Sequence, residues 1–370
     1  MKVICLQEKL KKALNIAERV TGKNVNLPIL SNVLLETEKG RLKISATDLE
    51  MGLRTWISSK VEKEGKTSVS VGILSNFISS LPQEKTYLEL KGKYDLEVKC
   101  ENFKAIIKGL DPNDFPIIPQ IKSEPSLVIK SENLQKGLLQ IYQAATFSEV
   151  RPEISGVYFY LTKEKLLKMV ATDSFRLAEK TLKKFETKQS KELSFIVPLK
   201  TIVELVRILD GFSGNVKITI KENQVLFDID DIHLVSRLIE GRFPDYQRII
   251  PTEFETTSVI DREKLIEAIR IASLFAGKIN DVSLNFLPPE KIEISSESQE
   301  VGSHQSSLKA EVSGKKNKLT FNYKYLLDGL NNIDKERVVF EVKGSEEPAK
   351  LKPFNDLSYL YIVMPVRNTE

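Results

Sequence analysis

The sequence has few of the residues that form disulfides or bind metals. Its 370 residues include two cysteines (Cys5 and Cys100), two histidines and one tryptophan. Two cysteines cannot make a disulfide framework, and this small set of soft and imidazole ligands leaves almost nothing for a zinc or copper site. We therefore expect no metal, no disulfide and a reducing compartment.

Long hydrophobic runs and a secretion signal are also missing. The longest apolar stretches, such as residues 359–364, are a few residues long, whereas a membrane helix needs about 20. Residues 1–8 lack the apolar segment and small-residue cleavage site of a signal peptide. These absences favour a cytoplasmic protein without membrane contact.

The chain has almost no excess of charge of one sign. Lysine and arginine number 55 and aspartate and glutamate 51, which gives a net charge of +4. Proteins that hold nucleic acid tightly by neutralising phosphates usually carry a larger excess. Any contact with nucleic acid should therefore be weak and depend on where the basic residues lie.

Catalytic motifs are absent from the sequence. It contains no glycine-rich nucleotide loop, no H-E-x-x-H and no G-x-S-x-G. Asp230, Asp231 and His233 are one possible acid/base cluster, but the tip of a hairpin after an apolar strand is the preferred interpretation. We expect a protein with no catalytic residues and no cofactor, and keep an enzyme using this cluster as an alternative.

What the chain does contain is a long internal repeat. At 370 residues it exceeds the size of a single core, about 250 to 300 residues, so several domains are expected. The strand residues Val33, Val157 and Val282 lie 124 and 125 residues apart. Apolar residues also recur at helical spacing near the start of each third: Leu6, Leu10, Leu14 and Ala17, then Leu134, Leu138, Ile141 and Ala145, then Leu265, Ile269, Ala272 and Phe275. A second strand followed by a helix also recurs in each third.

Alternating runs such as residues 41–45, 87–91 and 216–220 predict half-buried antiparallel strands between these helices. The predicted fold class is therefore α+β, with three similar tandem domains that each contain two helices and antiparallel sheets. Proline-rich joints near residues 111–116 and 240–245 place the domains at 1–120, 121–250 and 251–370.

Five short motifs occur in order along the chain: residues 27–32 (LPILSN), 46–50 (ATDLE), 171–178 (ATDSFRLA), 241–246 (GRFPDY) and 364–367 (MPVR). Together they resemble the bacterial DNA polymerase III β subunit family, the sliding clamps. The resemblance covers the whole chain and implies a head-to-tail homodimeric ring of six similar domains, with helices lining a hole that encircles duplex DNA. Such a protein is a processivity factor with no activity of its own.

The resemblance also implies three groups of functional residues. The DNA-facing group is Lys9, Lys12, Lys23, Asn24, Lys136 and Lys200, although the family has a basic residue at the position of Asn24. The dimer interface would include Ala105, Ile107 and Leu274. The partner peptides would bind a hydrophobic pocket lined by Ile154, Thr172, Ser174, Phe175, Arg176, Leu177, Pro244, Ile249, Pro348, Ile362, Met364, Pro365, Val366 and Arg367.

The implied partners of this pocket are the DNA polymerase III α subunit, the clamp loader complex, and other polymerases and repair proteins. Phe175 and Ser174 depart from the family, where histidine and glycine are common, so the preference for peptides does not transfer intact. A three-domain peptide-binding adaptor that never surrounds DNA shares the pocket and remains the main alternative. The two hypotheses differ in self-association.

Overall fold

The computed structural model describes residues 1–22 and 27–366; the predicted site residues Lys23, Asn24 and Arg367 lie outside this range. The described residues contain six α-helices: α1 (Gln7–Val20), α2 (Val71–Ser80), α3 (Ser131–Ile141), α4 (Leu199–Ile208), α5 (Arg262–Ser273) and α6 (Tyr323–Asn331). Two helices thus fall in each third of the chain, as the repeat predicts.

Antiparallel strands make up most of the remaining structure. The first third contains β1 (Lys2–Leu6), β2 (Asn32–Glu38), β3 (Arg41–Thr47), β4 (Met51–Ile57), β5 (Lys60–Lys63), β6 (Lys66–Ser70), β7 (Lys85–Lys91), β8 (Asp95–Cys100), β9 (Phe103–Ile107) and β10 (Gly109–Leu110). The second contains β11 (Leu127–Lys130), β12 (Gly156–Leu161), β13 (Leu167–Thr172), β14 (Arg176–Leu182), β15 (Leu193–Pro198), β16 (Asn215–Lys221), β17 (Gln224–Ile229) and β18 (Ile232–Arg237). The last contains β19 (Thr256–Asp261), β20 (Asp281–Leu287), β21 (Lys291–Ser298), β22 (Gly302–Lys309), β23 (Glu311–Gly314), β24 (Asn317–Asn322), β25 (Arg337–Val342), β26 (Ala349–Pro353) and β27 (Tyr359–Val363).

These strands form four sheets. Two have five and four strands, in the orders β5-β1-β7-β8-β9 and β22-β21-β20-β24. The other two have nine strands each, in the orders β10-β6-β2-β3-β4-β18-β17-β16-β11 and β15-β12-β13-β14-β27-β26-β25-β19-β23. Each nine-stranded sheet therefore combines strands from two consecutive thirds of the chain.

The backbone divides into two compact units that follow these sheets. The first comprises Met1–Glu132, Phe185–Gln189 and Val203–Leu238, and the second comprises Asn133–Lys184, Ser190–Ile202 and the chain from Ile239 onward. The pairing of β4 with β18 holds the first unit together, and that of β14 with β27 holds the second. The domain boundaries at residues 120 and 250 remain a prediction.

The helical stripes predicted from spacing are the buried faces of the helices. Leu10, Leu14 and Ala17 of α1 have no exposed surface, and α1 packs on β3 and β4. Burying a leucine contributes about 1.5–3 kcal/mol, so this stripe holds the helix on its sheet. Leu6, predicted as part of the stripe, is instead the last residue of β1 and is half-exposed, because the helix begins one residue later.

The acid/base cluster considered from sequence lies at a hairpin tip, as the preferred interpretation predicts. Asp230 has a φ of 55° in the turn between β17 and β18. Asp231 pairs with Arg41 at 2.7 Å, and the ring of His233 packs edge-on against Trp56 with centroids 4.8 Å apart. Asp231 and His233 are therefore held in structural contacts, and Asp230 forms the turn.

In residues 1–22 and 27–366, no group of three or more histidine, cysteine, aspartate or glutamate side chains is arranged to hold a metal ion. None of the helices in the same ranges has the length and apolar character needed to cross a membrane.

Candidate functional site

Strand register in the second unit brings distant parts of the sequence to one end of a sheet. Arg176 at the start of β14 and Ala349 at the start of β26 both pair with Val363 at the end of β27. Because neighbouring antiparallel strands run in opposite directions, the preceding residues Phe175 and Pro348 and the following residue Met364 lie at the same end. The pairing therefore assembles much of the predicted peptide-binding region.

The loop between β13 and β14 is fixed by its own hydrogen bonds. Asp173 Oδ1 accepts the backbone amides of Phe175 and Arg176, both at 3.0 Å, and Thr172 Oγ1 donates to the Arg176 carbonyl at 2.7 Å. Ser174 adopts a φ of 78°, in the left-handed region that favours glycine. The backbone amide of Met364 donates to the Phe175 carbonyl at 2.9 Å, which ties the loop to the end of β27.

Arg176 has its guanidinium group engaged within the unit. Its Nε lies 3.0 Å from Asp173 Oδ2, its Nη1 bonds Asp328 of α6, and its guanidinium carbon lies 4.4 Å from the centre of the Tyr325 ring. Burial opposes the charge, but Tyr361 and Asp328 raise the pKa of Arg176 above its ordinary value. This arginine therefore positions the loop, with a side chain only 12% exposed.

A buried apolar cluster lies beneath the loop. It consists of Ile154, Val170, Leu177, Ile196, Phe243, Tyr246 and Ile362. Phe243 stacks on Tyr158 with ring centroids 4.6 Å apart, and the Tyr246 hydroxyl donates to Glu179 Oε2 at 2.6 Å. Burial, followed by the charge of Glu179, raises the pKa of Tyr246 well above its usual value. The cluster provides a rigid apolar floor.

The residues predicted to line the peptide pocket differ in how far they are exposed. Ile154, Leu177, Ile362 and Thr172 are buried, so they form the support of the surface. Pro244, Pro348, Met364, Pro365 and Val366 are half-buried, and Ser174, Phe175 and Ile249 are exposed. Phe175, at 61% exposed, is the largest of the outward-facing side chains. An aromatic ring beside half-buried prolines and a methionine can bind apolar side chains of a peptide.

Sequence reasoning missed several residues of this site. Asp173 and Asp328 hold Arg176, and Tyr246 anchors the floor through Glu179. Asp173 and Tyr246 lie within the motifs at residues 171–178 and 241–246, and this location could have indicated that they belong to the site. Asp328 lies on a helix 152 residues away from Arg176, and only the tertiary fold brings them together.

The four predicted DNA-facing residues that the structure describes lie on helices, two in each unit. In the first unit, Lys9 and Lys12 are on the exposed face of α1, opposite the buried stripe. In the second, Lys136 of α3 forms an ion pair with Asp334 at 2.7 Å, and Lys200 is exposed near the start of α4. The basic surface is thus clearest on α1.

The predicted dimer-interface residues lie on or near edge strands of the sheets. Ala105 and Ile107 lie on β9, the edge of the five-stranded sheet, and Leu274, 70% exposed, follows the end of α5, which packs against edge strand β22. Ile107 is only 4% exposed, so its side chain packs inside its own unit. Phe103 and Ile106 present the exposed apolar surface of β9 instead, at 50% and 55%.

Comparisons with known proteins cover the whole length of this architecture. Three models of the DNA polymerase III beta subunit match the chain in order: the N-terminal domain at residues 1–119, the central domain at 128–245 and the C-terminal domain at 247–367. The chain belongs to the DNA polymerase III beta subunit family. Its fold is that of three tandem DNA-clamp domains.

Beta subunits of known sequence and structure agree with this assignment. The beta sliding clamp of Synechocystis is 28% identical over 389 residues, and that of Bacillus subtilis is 27% identical over 378; both alignments cover 99% of this chain and at least 99% of the relative. The crystal structure of the Bacillus subtilis clamp matches with a TM-score of 0.95 and 26% identity, covering 100% of this chain and 99% of that one. A Pseudomonas aeruginosa beta subunit gives 0.93 and 28%, covering 99% and 100%.

Proposed function

We propose that this chain is a DNA sliding clamp, a processivity factor that encircles duplex DNA and holds the replication machinery on it. The observation that carries this proposal is the full-length match to three tandem clamp domains. A closed ring retains DNA by topology, so a nearly balanced charge suits it, whereas strong phosphate binding would slow its movement.

Two copies joined head to tail would close the ring. The edge strands β9 and β22 offer unpaired backbone groups, and exposed apolar side chains accompany both edges. Pairing different edges is a heterologous contact, which forms a closed ring when its rotation divides a full turn. In that ring, Ala105 and Leu274, together with Phe103 and Ile106, would lie between protomers. Lys9, Lys12, Lys136 and Lys200 would face the DNA.

The loop region around Phe175 and Met364 would dock short peptides of partner proteins. The partners of this proposal are the DNA polymerase III α subunit, the clamp loader, and other polymerases and repair proteins acting in the cytoplasm. A rigid apolar floor and a loop fixed by hydrogen bonds support the assignment, because a preorganised site loses little entropy on binding. A sliding clamp of Pseudomonas aeruginosa has been solved bound to griselimycin, so a relative also takes a ligand.

Light scattering across a range of protein concentrations tests the ring. We expect the mass to rise with concentration from that of the 42.0 kDa chain to that of its dimer. Ile106→Asp and Leu274→Asp should weaken the dimer, so that a higher protein concentration is needed to reach the dimer mass. Leu357→Asp is a matched control, since Leu357 is 85% exposed and lies between β26 and β27, which are interior strands of their sheet and belong to neither pairing edge. A chain that stays monomeric at all concentrations would favour the peptide-binding adaptor instead.

A further inference from the structure

A second groove lies in the first unit, on the sheet face opposite α1. It has a volume of about 270 Å³ and is lined by residues of β2, β3, β4 and β6 and by the chain between residues 112 and 120. Leu42 and Ile44 are completely buried in β3, on which α1 packs, so strand alternation turns Lys43 and Ser45 to the other face. Its lining shares no residue with the predicted peptide site.

Arg54 in this groove carries a buried charge that no carboxylate balances directly. The residue is 8% exposed, and its Nη2 donates to the Pro119 carbonyl at 2.8 Å. Within residues 1–22 and 27–366 it forms no ion pair, and its Nε is buried without a hydrogen-bond partner. A guanidinium cannot lose its proton at physiological pH, so the protein cannot avoid this charge by neutralising it.

The neighbouring carboxylates are already committed to other groups. Lys43 Nζ lies 2.5 Å from Glu36 and 3.0 Å from Glu38, and Glu38 also accepts the indole N–H of Trp56 at 2.6 Å. His233, the cross-strand neighbour of Arg54, adds no negative charge, and burial lowers its pKa so that it is neutral near pH 7. Burial lowers the pKa of Arg54 and the charge of Glu38 opposes this shift, but no carboxylate among the described residues contacts the guanidinium directly.

The lining as a whole has an excess of positive charge. It includes Lys43, Arg54 and Lys66 against the single carboxylate of Glu36. Lys66 is exposed at the rim and donates to Asn113 Oδ1 at 2.8 Å. A buried guanidinium with an ammonium group at the rim is the arrangement that binds oxyanions, because the planar fork can donate two parallel hydrogen bonds and the lysine adds a point charge.

We propose that this groove binds a phosphate-type oxyanion, either free phosphate or the phosphate of a small phosphomonoester, with Arg54 as its central ligand. The volume accommodates a phosphate with a small attached group. Arg54 already holds Pro119 and Lys66 already holds Asn113, so an anion bound between them would fasten residues 112–120 onto the sheet. The inference does not depend on the DNA-encircling function.

Calorimetric titration of the full-length chain tests the site, with inorganic phosphate in one arm and the monophosphate ester glycerol phosphate in the other, at constant ionic strength set by chloride. We expect saturable binding of one anion per chain in at least one arm. Arg54→Met should weaken it by at least about tenfold, because a hydrogen bond to a charged group is worth at least that factor in affinity. Lys60→Gln, which removes an exposed charge from the same unit, should leave binding unchanged.

A second variant and a second readout keep the test decisive if Arg54→Met does not fold. Lys66→Gln at the exposed rim should also weaken binding, and phosphate should slow hydrogen exchange in residues 112–120 of the unmodified chain. Binding in the phosphate arm alone identifies the free anion, and binding in the monophosphate arm alone identifies an ester. Absence of saturable binding in both arms, or equal affinity in the unmodified chain and both groove variants, would overturn the proposal.

Discussion

The ion pair of Arg176 offers a quantitative test of how the candidate peptide site is held. Arg176 and Asp173, three residues apart, have side chains 12% and 8% exposed. Arg248 and Asp245 form a pair with the same spacing in the same unit, but their side chains are 85% and 53% exposed. The two pairs therefore differ in burial and in the additional bond of Arg176 to Asp328, and Arg248→Met is the control for an exposed pair with the same spacing.

The expected cost follows from what each substitution leaves behind. Arg176→Met leaves Asp173 and Asp328 without their positively charged partner. Removing one partner of a buried ion pair lowers the free energy of unfolding by about 3–5 kcal/mol. Asp173 keeps its two backbone amides and Asp328 is 35% exposed, so we expect about 2–3 kcal/mol, at or below the lower end of that range. Arg248→Met should cost less than about 1 kcal/mol, as for exposed pairs.

Hydrogen exchange at the Met364 amide measures this cost locally. That amide donates to the Phe175 carbonyl, so its exchange reports opening of the loop. A local measurement is preferable because a chain of several domains does not unfold in one step. We expect much faster exchange and weaker peptide binding in Arg176→Met only. Equal exchange rates in the Arg176 and Arg248 variants would refute the assigned role.

Three further predictions concern buried or paired groups. Tyr246→Phe should destabilise the second unit by about 1–2 kcal/mol in exchange or urea experiments, since Glu179 loses a hydrogen bond; a change below about 0.5 kcal/mol would contradict this. Burial raises the pKa of Cys5 to about 12, so the native thiol should resist an aromatic disulfide reagent at pH 8. The stability of the fold should decrease above pH 9.0, because there the unfolded chain releases the thiol proton and the folded chain does not. Rapid labelling of the native protein would contradict this prediction. Lys104 and Lys99 hold the pKa of Glu97 at about 2. This carboxylate should therefore stabilise the fold above pH 4.5, and the stabilisation should be lost as the pH falls toward 2. A midpoint near 4.5 in a carbon NMR titration of Glu97 would contradict this prediction.

Local structure was predictable from the sequence because it depends on neighbouring residues. The spacing of Leu10, Leu14 and Ala17 predicted the buried face of α1, and the comparable residues Leu265, Ile269 and Ala272 are buried in α5. Strand alternation and the repeat of about 124 residues likewise follow from side-chain periodicity. The α+β class with two helices per third was therefore correct.

Contacts between distant strands were not predictable in the same way. The grouping of thirds into two nine-stranded sheets depends on pairs such as Gly52 with Val235 and Leu177 with Ile362, and no local pattern specifies these registers. Ile107 shows that the sequence also does not determine which way a single side chain on an edge strand faces. An apolar residue on an edge strand can face the core or a partner, and here its side chain faces the core.

The most direct test of the encircling claim is retention on DNA of different topology. The chain should be loaded by a bacterial clamp loader onto nicked circular DNA, and the DNA should then be linearised with a single-cutting nuclease before gel filtration. We expect the protein to elute with the circular DNA and to separate from the linear form, because an encircling dimer slides off a free end. Equal retention on both forms, or retention on neither after loading, would contradict the account.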